Sequence, residues 1–220
     1  MKLFVDTGSI KDVRTFAELG IIDGVTTNPS LMAKESGDPR QTLKEICRIV
    51  QGPVSGEVIS TEYDEMIREG REIAAIDEHM VVKVPFTKAG VRACKTLSSE
   101  GIKVNVTLIF SATQALLAAK VGAAFVSPFV GRLDDVGTDG MHLIEEIVEI
   151  FDNFEFATEV LVASTRGPIP IVQAARMGAD VCTCPPAVLE AMFKHPLTDI
   201  GLERFLKDWE KSQAAAAARS

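Results

Sequence analysis

The chain has 220 residues, 46% hydrophobic and 25% charged. That composition encloses one well-buried core and excludes a disordered chain. The net charge of −8, from 23 basic against 31 acidic side chains, argues against nucleic acid or an anionic membrane as the main partner. A few arginines in a cleft would still suffice for a small anion.

The N-terminal run MKLFVDTGS turns polar too early for a signal-peptide core, and no apolar stretch approaches the ~20 residues of a membrane span. Cys47, Cys94, Cys182 and Cys184 are scattered apart from one C-x-C, whose members fall on one side of a strand. They read as small buried hydrophobes in a reducing, cytoplasmic setting rather than as disulfides or zinc ligands. His79, His142 and His195 have no metal-ligand spacing, so no metal is expected.

Taken in chain order, β-rich runs are expected at Leu3–Asp6, Gly24–Asn28, Val54–Ile59, Val81–Phe86, Val104–Ile109, Phe125–Val130, Val160–Ser164 and Asp180–Cys184. Helical patterns lie between them. Thr61 to Ile76 opens on a capping pattern of Thr61 and Asp64 and sets Met66, Ile67, Ile73 and Ala74 on one face. Thr87 to Ser99 precedes Gly101, a second capping box pairs Ser111 with Gln114, and Pro168 to Met177 precedes Gly178. Strands alternating with helices predict parallel βαβ units. Eight units in this length predict an α/β fold, a single (β/α)8 TIM barrel over residues 1–212. The alternative, an open doubly wound sheet, lacks any G-x-G-x-x-G. An additional C-terminal helix, Asp199 to Lys211, would cap the barrel or pack on another subunit. The Ala-rich tail at 213–220 is excluded from the fold as an expression remnant, a frayed helix end or disorder.

Alternate side chains of a barrel strand face its interior, and active sites lie at the C-terminal strand ends. One parity carries Asp6; Thr26 and Asn28; Ser55 and Glu57; Lys83; Asn105 and Thr107; Ser127 and Phe129; and Ser164. The opposite parity is mostly apolar, with Val5, Val25, Val82, Val84, Val106, Val126, Val130, Leu161 and Ala163. Seven strands thus aim polar groups at one space. Lys83, inside VVKVPF, is the sharpest signal, because desolvation disfavours an ammonium and only a neutral amine attacks a carbonyl. The alternative is an ion pair with Asp6 or Glu57, which leads for an isolated lysine. The accompanying polar groups tip the balance to chemistry, with the two carboxylates supplying proton transfer. Asn28, Asn105 and Ser127 suit polyol hydroxyls, although Asn28 before Pro29 also suits a turn. Arg132 and Arg166, after the sixth and seventh strands, suit a phosphate together with Ser164. The alternative for Arg132 is a surface pair with Asp134 or Asp135.

At these residues the chain resembles the transaldolase family, in its short branch of transaldolases and fructose-6-phosphate aldolases. The segments are FVDT at 4–7, GVTTNPSL at 24–31, VVKVP at 81–85, NVTLIFS at 105–111, VSPFVGRLDD at 126–135 and VASTRGP at 162–168. The resemblance implies a Schiff base on Lys83 and acid/base work by Asp6 during C3–C4 cleavage. It implies a proton-shuttling water held by Glu57 and Thr107. Asn28, Asn105 and Ser127 would hold the dihydroxyacetone part, with Thr26 and Phe129 also in the substrate site, while Arg132, Ser164 and Arg166 take the phosphate. No cofactor is implied, and the partners are sugar phosphates: sedoheptulose 7-phosphate or fructose 6-phosphate as donor, glyceraldehyde 3-phosphate or erythrose 4-phosphate as acceptor. A homo-oligomer, pentamer or decamer, is implied as well. The aldolases of the branch typically carry Gln in place of Glu57 and Tyr in place of Phe129, so transfer is expected here. Two alternatives stay open: an aldolase releasing free dihydroxyacetone, and a noncatalytic sugar-phosphate-binding barrel.

Overall fold

The computed structural model describes residues 1–217. Eight strands, β1 (Lys2–Asp6), β2 (Gly24–Thr26), β3 (Val54–Glu57), β4 (Met80–Pro85), β5 (Val104–Ile109), β6 (Phe125–Pro128), β7 (Glu159–Val162) and β8 (Val181–Cys184), form a closed barrel. Every strand runs parallel to its sequence neighbours, and β8 pairs back onto β1. The connecting helices are α1 (Ile10–Glu18), α2 (Pro29–Met32), α3 (Pro39–Val50), α4 (Tyr63–Ala74), α5 (Lys88–Ser99), α6 (Ala112–Lys120), α7 (Val130–Asp134), α8 (Gly140–Asn153), α9 (Pro168–Met177) and α10 (Pro186–Met192). A long terminal helix, α11 (Pro196–Ala217), follows.

Local chemistry explains most boundaries. Thr87 caps α5 by accepting from the Gly90 amide, and Ser111 caps α6 by accepting from Gln114. The Gln114 side chain reaches back to the Phe110 amide at 2.7 Å, one residue earlier than a capping box requires. The start expected at Thr61 is corrected: α4 opens at Tyr63, with Glu62 at its cap making no side-chain bond. Here Glu69, from inside the helix, accepts from the Ile59 amide at 2.7 Å, the Ser60 amide at 3.1 Å and the Ser60 hydroxyl at 2.5 Å. That carboxylate secures the loop after β3, so a threonine cap is not needed. Several expected strands overrun at their C-terminal ends, because chain that is extended in the sequence pattern turns into caps there: Asn28 is the N-cap of α2 and Phe129 that of α7.

Two apolar layers result. Valines such as Val5, Val25, Val82, Val106 and Val162 pack outward against the helices, while Phe4, Val81, Phe125, Leu161, Ala163 and Val181 fill the barrel interior. Gly24 is required by that filling: a Cβ there would come within 2.6 Å of the Phe4 ring. Cys182 and Cys184 sit together in the outer layer as free, buried thiols, their pKa values pushed up to about 12, chiefly by burial. One parity assignment is overturned. Leu161 and Ala163 belong to the interior layer, so Ser164 does not continue an inward-facing series; its left-handed backbone (φ 61°) breaks the alternation instead.

The terminal helix is longer than the 199–211 expected. It runs on through the alanines to Ala217, in keeping with alanine's rank as the best helix former; residues 218–220 lie outside the described residues. Leu202, Phe205, Leu206 and Trp209 are all exposed along it. No helix among the described residues is long and apolar enough to cross a membrane.

Candidate active site

The register of the barrel builds the site. Glu57 of β3 is level with Lys83 of β4, and Lys83 is level with Asn105 of β5. Lys83 is only 5% exposed, which means its ammonium needs protein partners. It has two: a Glu57 carboxylate oxygen at 3.0 Å and the Thr27 carbonyl at 3.2 Å. The ion-pair partner left open by the sequence is therefore Glu57.

Across the barrel, Asp6 of β1 is level with Thr26 of β2 and accepts its hydroxyl at 2.6 Å. Burial raises the Asp6 pKa above the ordinary carboxyl value; the Thr26 hydrogen bond and the positive charge of Lys83 only partly oppose it. The two carboxylates thus sit in different settings. Glu57 is salt-bridged to the lysine, while Asp6 is held by the Thr26 hydroxyl.

The floor between them is a chain of neutral groups. Ser127 donates to the Asn105 side-chain oxygen at 2.7 Å, and the Asn105 amide donates to Ser55 at 3.2 Å. The Asn105 orientation is thereby fixed, since both ends of its amide are engaged. Thr107 is the exception. Its hydroxyl is buried and has no hydrogen-bond partner, a costly state unless another molecule supplies one. Thr107 lies beside a register shift in β5, where Leu108 takes a left-handed conformation (φ 60°). Such bulges re-aim side chains next to functional sites.

The rim is built differently. Phe129 lies edge-on to Phe110 at 6.0 Å, and the Arg132 guanidinium stacks 4.9 Å from the Phe129 ring. The loops after β6 and β7 touch: a Cβ on Gly131 would meet the Ser164 carbonyl at 2.1 Å and Arg166 Nε at 2.8 Å. Only glycine lets these backbones approach so closely, and this places Arg132, Ser164 and Arg166 at one corner. Arg166, exposed, pairs with Asp135 at 2.6 Å. Arg132 makes no ion pair among the described residues, so its alternative surface pairing does not form; Asp134 instead accepts from the Gly140 amide. Asn28 is partly engaged, accepting the Leu31 amide at 2.9 Å as the cap of α2.

Three residues were missed by sequence reasoning. Thr183 of β8 contacts Thr26 at 2.7 Å, and Thr165 anchors the loop between Ser164 and Arg166 by donating to the Thr183 carbonyl at 3.0 Å. Glu69, described above, steadies the strand end that carries Glu57. A signal for Thr183 existed, since it shares parity with apolar Val181, but the flanking cysteines dominate the reading of that strand. No group of three or more His, Cys, Asp or Glu side chains able to hold a metal ion occurs among the described residues.

A closed parallel barrel with a buried lysine, salt-bridged to a carboxylate and set beside neutral hydrogen-bonding side chains, defines a (β/α)8-barrel enzyme. Within that class, the chain belongs to the Transaldolase/Fructose-6-phosphate aldolase family, whose model matches residues 3–218. It is 56% identical over 215 residues to a "Probable transaldolase" of Nitrosopumilus maritimus, covering 97% of each chain. It is 56% identical over 211 residues to a protein of the same description from Thermodesulfovibrio yellowstonii, covering 96% of this chain and 99% of that protein. A third, from Desulforapulum autotrophicum, is 54% identical over 213 residues, covering 97% of this chain and 99% of that protein.

Proposed function

We propose that the chain is a transaldolase, carrying a dihydroxyacetone unit from a ketose phosphate to an aldose phosphate through a Schiff base on Lys83. The observation that carries the reading is the 3.0 Å contact between Lys83 and Glu57 deep in the barrel. A buried amine needs a group that takes its proton before it can attack a carbonyl, and Glu57 is in place to do so. The unpartnered Thr107 hydroxyl supports a water held near Glu57 for that transfer.

The steps follow. Neutral Lys83 Nζ adds to the C2 carbonyl of sedoheptulose 7-phosphate or fructose 6-phosphate, and the carbinolamine loses water to give an iminium. Asp6 takes the C4 hydroxyl proton, the C3–C4 bond breaks, and its electron pair moves into the iminium to form an enamine. The raised pKa of Asp6 suits a group that must both take and return a proton. An aldose phosphate leaves. The enamine carbon then adds to the carbonyl of glyceraldehyde 3-phosphate or erythrose 4-phosphate, Asp6 protonates the new alkoxide, and water releases the product from Lys83. Asn28, Asn105 and Ser127, with Thr26 and Phe129 around them, hold the dihydroxyacetone part. Arg132, Ser164 and Arg166 hold the phosphate. The imine is the electron sink, so no cofactor is invoked.

A second reading, an aldolase releasing free dihydroxyacetone, shares every step as far as the enamine. Glu57 and Phe129 stand where aldolases of this branch typically carry Gln and Tyr, which favours transfer. Fructose 6-phosphate supplied with and without erythrose 4-phosphate separates the two: turnover that requires the acceptor supports transfer, and glyceraldehyde 3-phosphate released without it supports cleavage. The exposed apolar face of α11 supports assembly with further copies, a pentamer or decamer by resemblance, and four buried free thiols are in keeping with the cytoplasm.

A further inference from the structure

Thr183 projects from β8 into the barrel, 3% exposed, with its hydroxyl 2.7 Å from that of Thr26. Thr26 in turn lies 2.6 Å from Asp6 Oδ1. A threonine hydroxyl carries a single hydrogen. While Asp6 is a carboxylate it can only accept, so the Thr26 hydrogen points to Asp6 and the contact with Thr183 requires Thr183 to donate. We infer that Thr183 is a positioning residue: by donating to Thr26 it fixes the hydroxyl that holds Asp6 for C3–C4 cleavage.

This rests on the role of Asp6 proposed above, and it adds a device that the role needs. When Asp6 has taken the C4 proton, the chain can reverse. Asp6 then donates to Thr26 and Thr26 donates to Thr183, with hydroxyl hydrogens rotating and no heavy atom moving. Two hydroxyls in series thus satisfy Asp6 in either protonation state, which a single fixed donor such as a backbone amide cannot do. Packing alone does not call for a hydroxyl here, because Val181 occupies the preceding inward position of the same strand. Valine would fill the volume of Thr183. The other bond at this residue, from Thr165 to the Thr183 carbonyl, belongs to the backbone and survives a side-chain change.

The test compares Thr183→Val and Thr183→Ser in the full-length protein. With valine, kcat for transfer from fructose 6-phosphate to erythrose 4-phosphate should fall about tenfold, the scale of one buried hydrogen bond. KM and the yield of borohydride-trapped adduct on Lys83 should hold, since imine formation relies on Glu57 instead. Serine should restore kcat to within about twofold of the parent. In a Thr26→Val background the valine at 183 should cost nothing more, because its action passes through Thr26. A Thr183→Val protein with parental kcat, a serine variant as slow as the valine one, or an additive loss in the double variant would overturn the inference. Failure of the unsubstituted protein to form any adduct would instead remove the reading of Lys83, and this inference with it.

Discussion

The barrel interior and its rim solve different problems. Inside, Lys83, Asn105, Ser127 and Thr26 are almost wholly buried and locked to neighbours on adjacent strands. At the rim, Arg166 is exposed and its partner Asp135 is exposed too, so that pair contributes little to stability and can open for an anion. In the proposed mechanism this contrast becomes a division of labour: strand register would fix the atoms that exchange protons, while loops would present movable charge to the distal end of the substrate.

Substitutions can break or sharpen this contrast. The largest effect is expected from Lys83→Ala, which removes the proposed nucleophile and should reduce turnover to background while circular dichroism still reports a folded barrel; retained activity would mean the chemistry lies elsewhere. Arg166→Ala is next. The loss of charged hydrogen bonds to a phosphate, about 1.5–3 kcal/mol, should raise KM roughly ten- to a hundredfold with kcat little changed. A fall in kcat at constant KM would show that the rim takes part in the chemistry. Thr107→Val should slow turnover about tenfold yet leave the melting temperature unchanged or higher, because its hydroxyl has no protein partner to lose; a clear drop in melting temperature would contradict the absence of that partner.

The smallest effect concerns Asp6 and pH. Its pKa is raised in the folded protein, chiefly by burial, so the folded state holds this proton more tightly than the unfolded chain. Its contribution to stability is fully present below the ordinary carboxyl pKa and is lost as pH rises through the raised value. Asp6→Asn, which cannot ionise, should therefore melt at a higher temperature than the parent at pH 8, with the gap closing toward pH 4. A gap that widens on acidification would reverse the sign of the burial argument.

Much of this placement was legible in the sequence because period-two alternation is rigid. Asp6, Thr26, Glu57, Lys83, Asn105 and Ser127 share one parity, and the structure puts hydrogen bonds or an ion pair between members of that set. Legibility ended where the backbone leaves the regular strand. Ser164 reaches its corner by a left-handed turn that alternation cannot foresee. Thr183 was hidden by the cysteines on either side, which made β8 read as wholly apolar. Partner choice at the surface was also out of reach: Asp135 pairs with Arg166, 31 residues away in the chain, rather than with nearby Arg132. Pairing of that kind is decided by loop geometry, not by proximity in sequence.

The most direct test of the whole account is to reduce the protein with borohydride in the presence of fructose 6-phosphate and to locate the added mass by peptide mapping. A single adduct of three carbons or of the intact sugar phosphate, on Lys83, is the expected result. Binding of the sugar phosphate with no adduct, or an adduct on any other lysine, would contradict it.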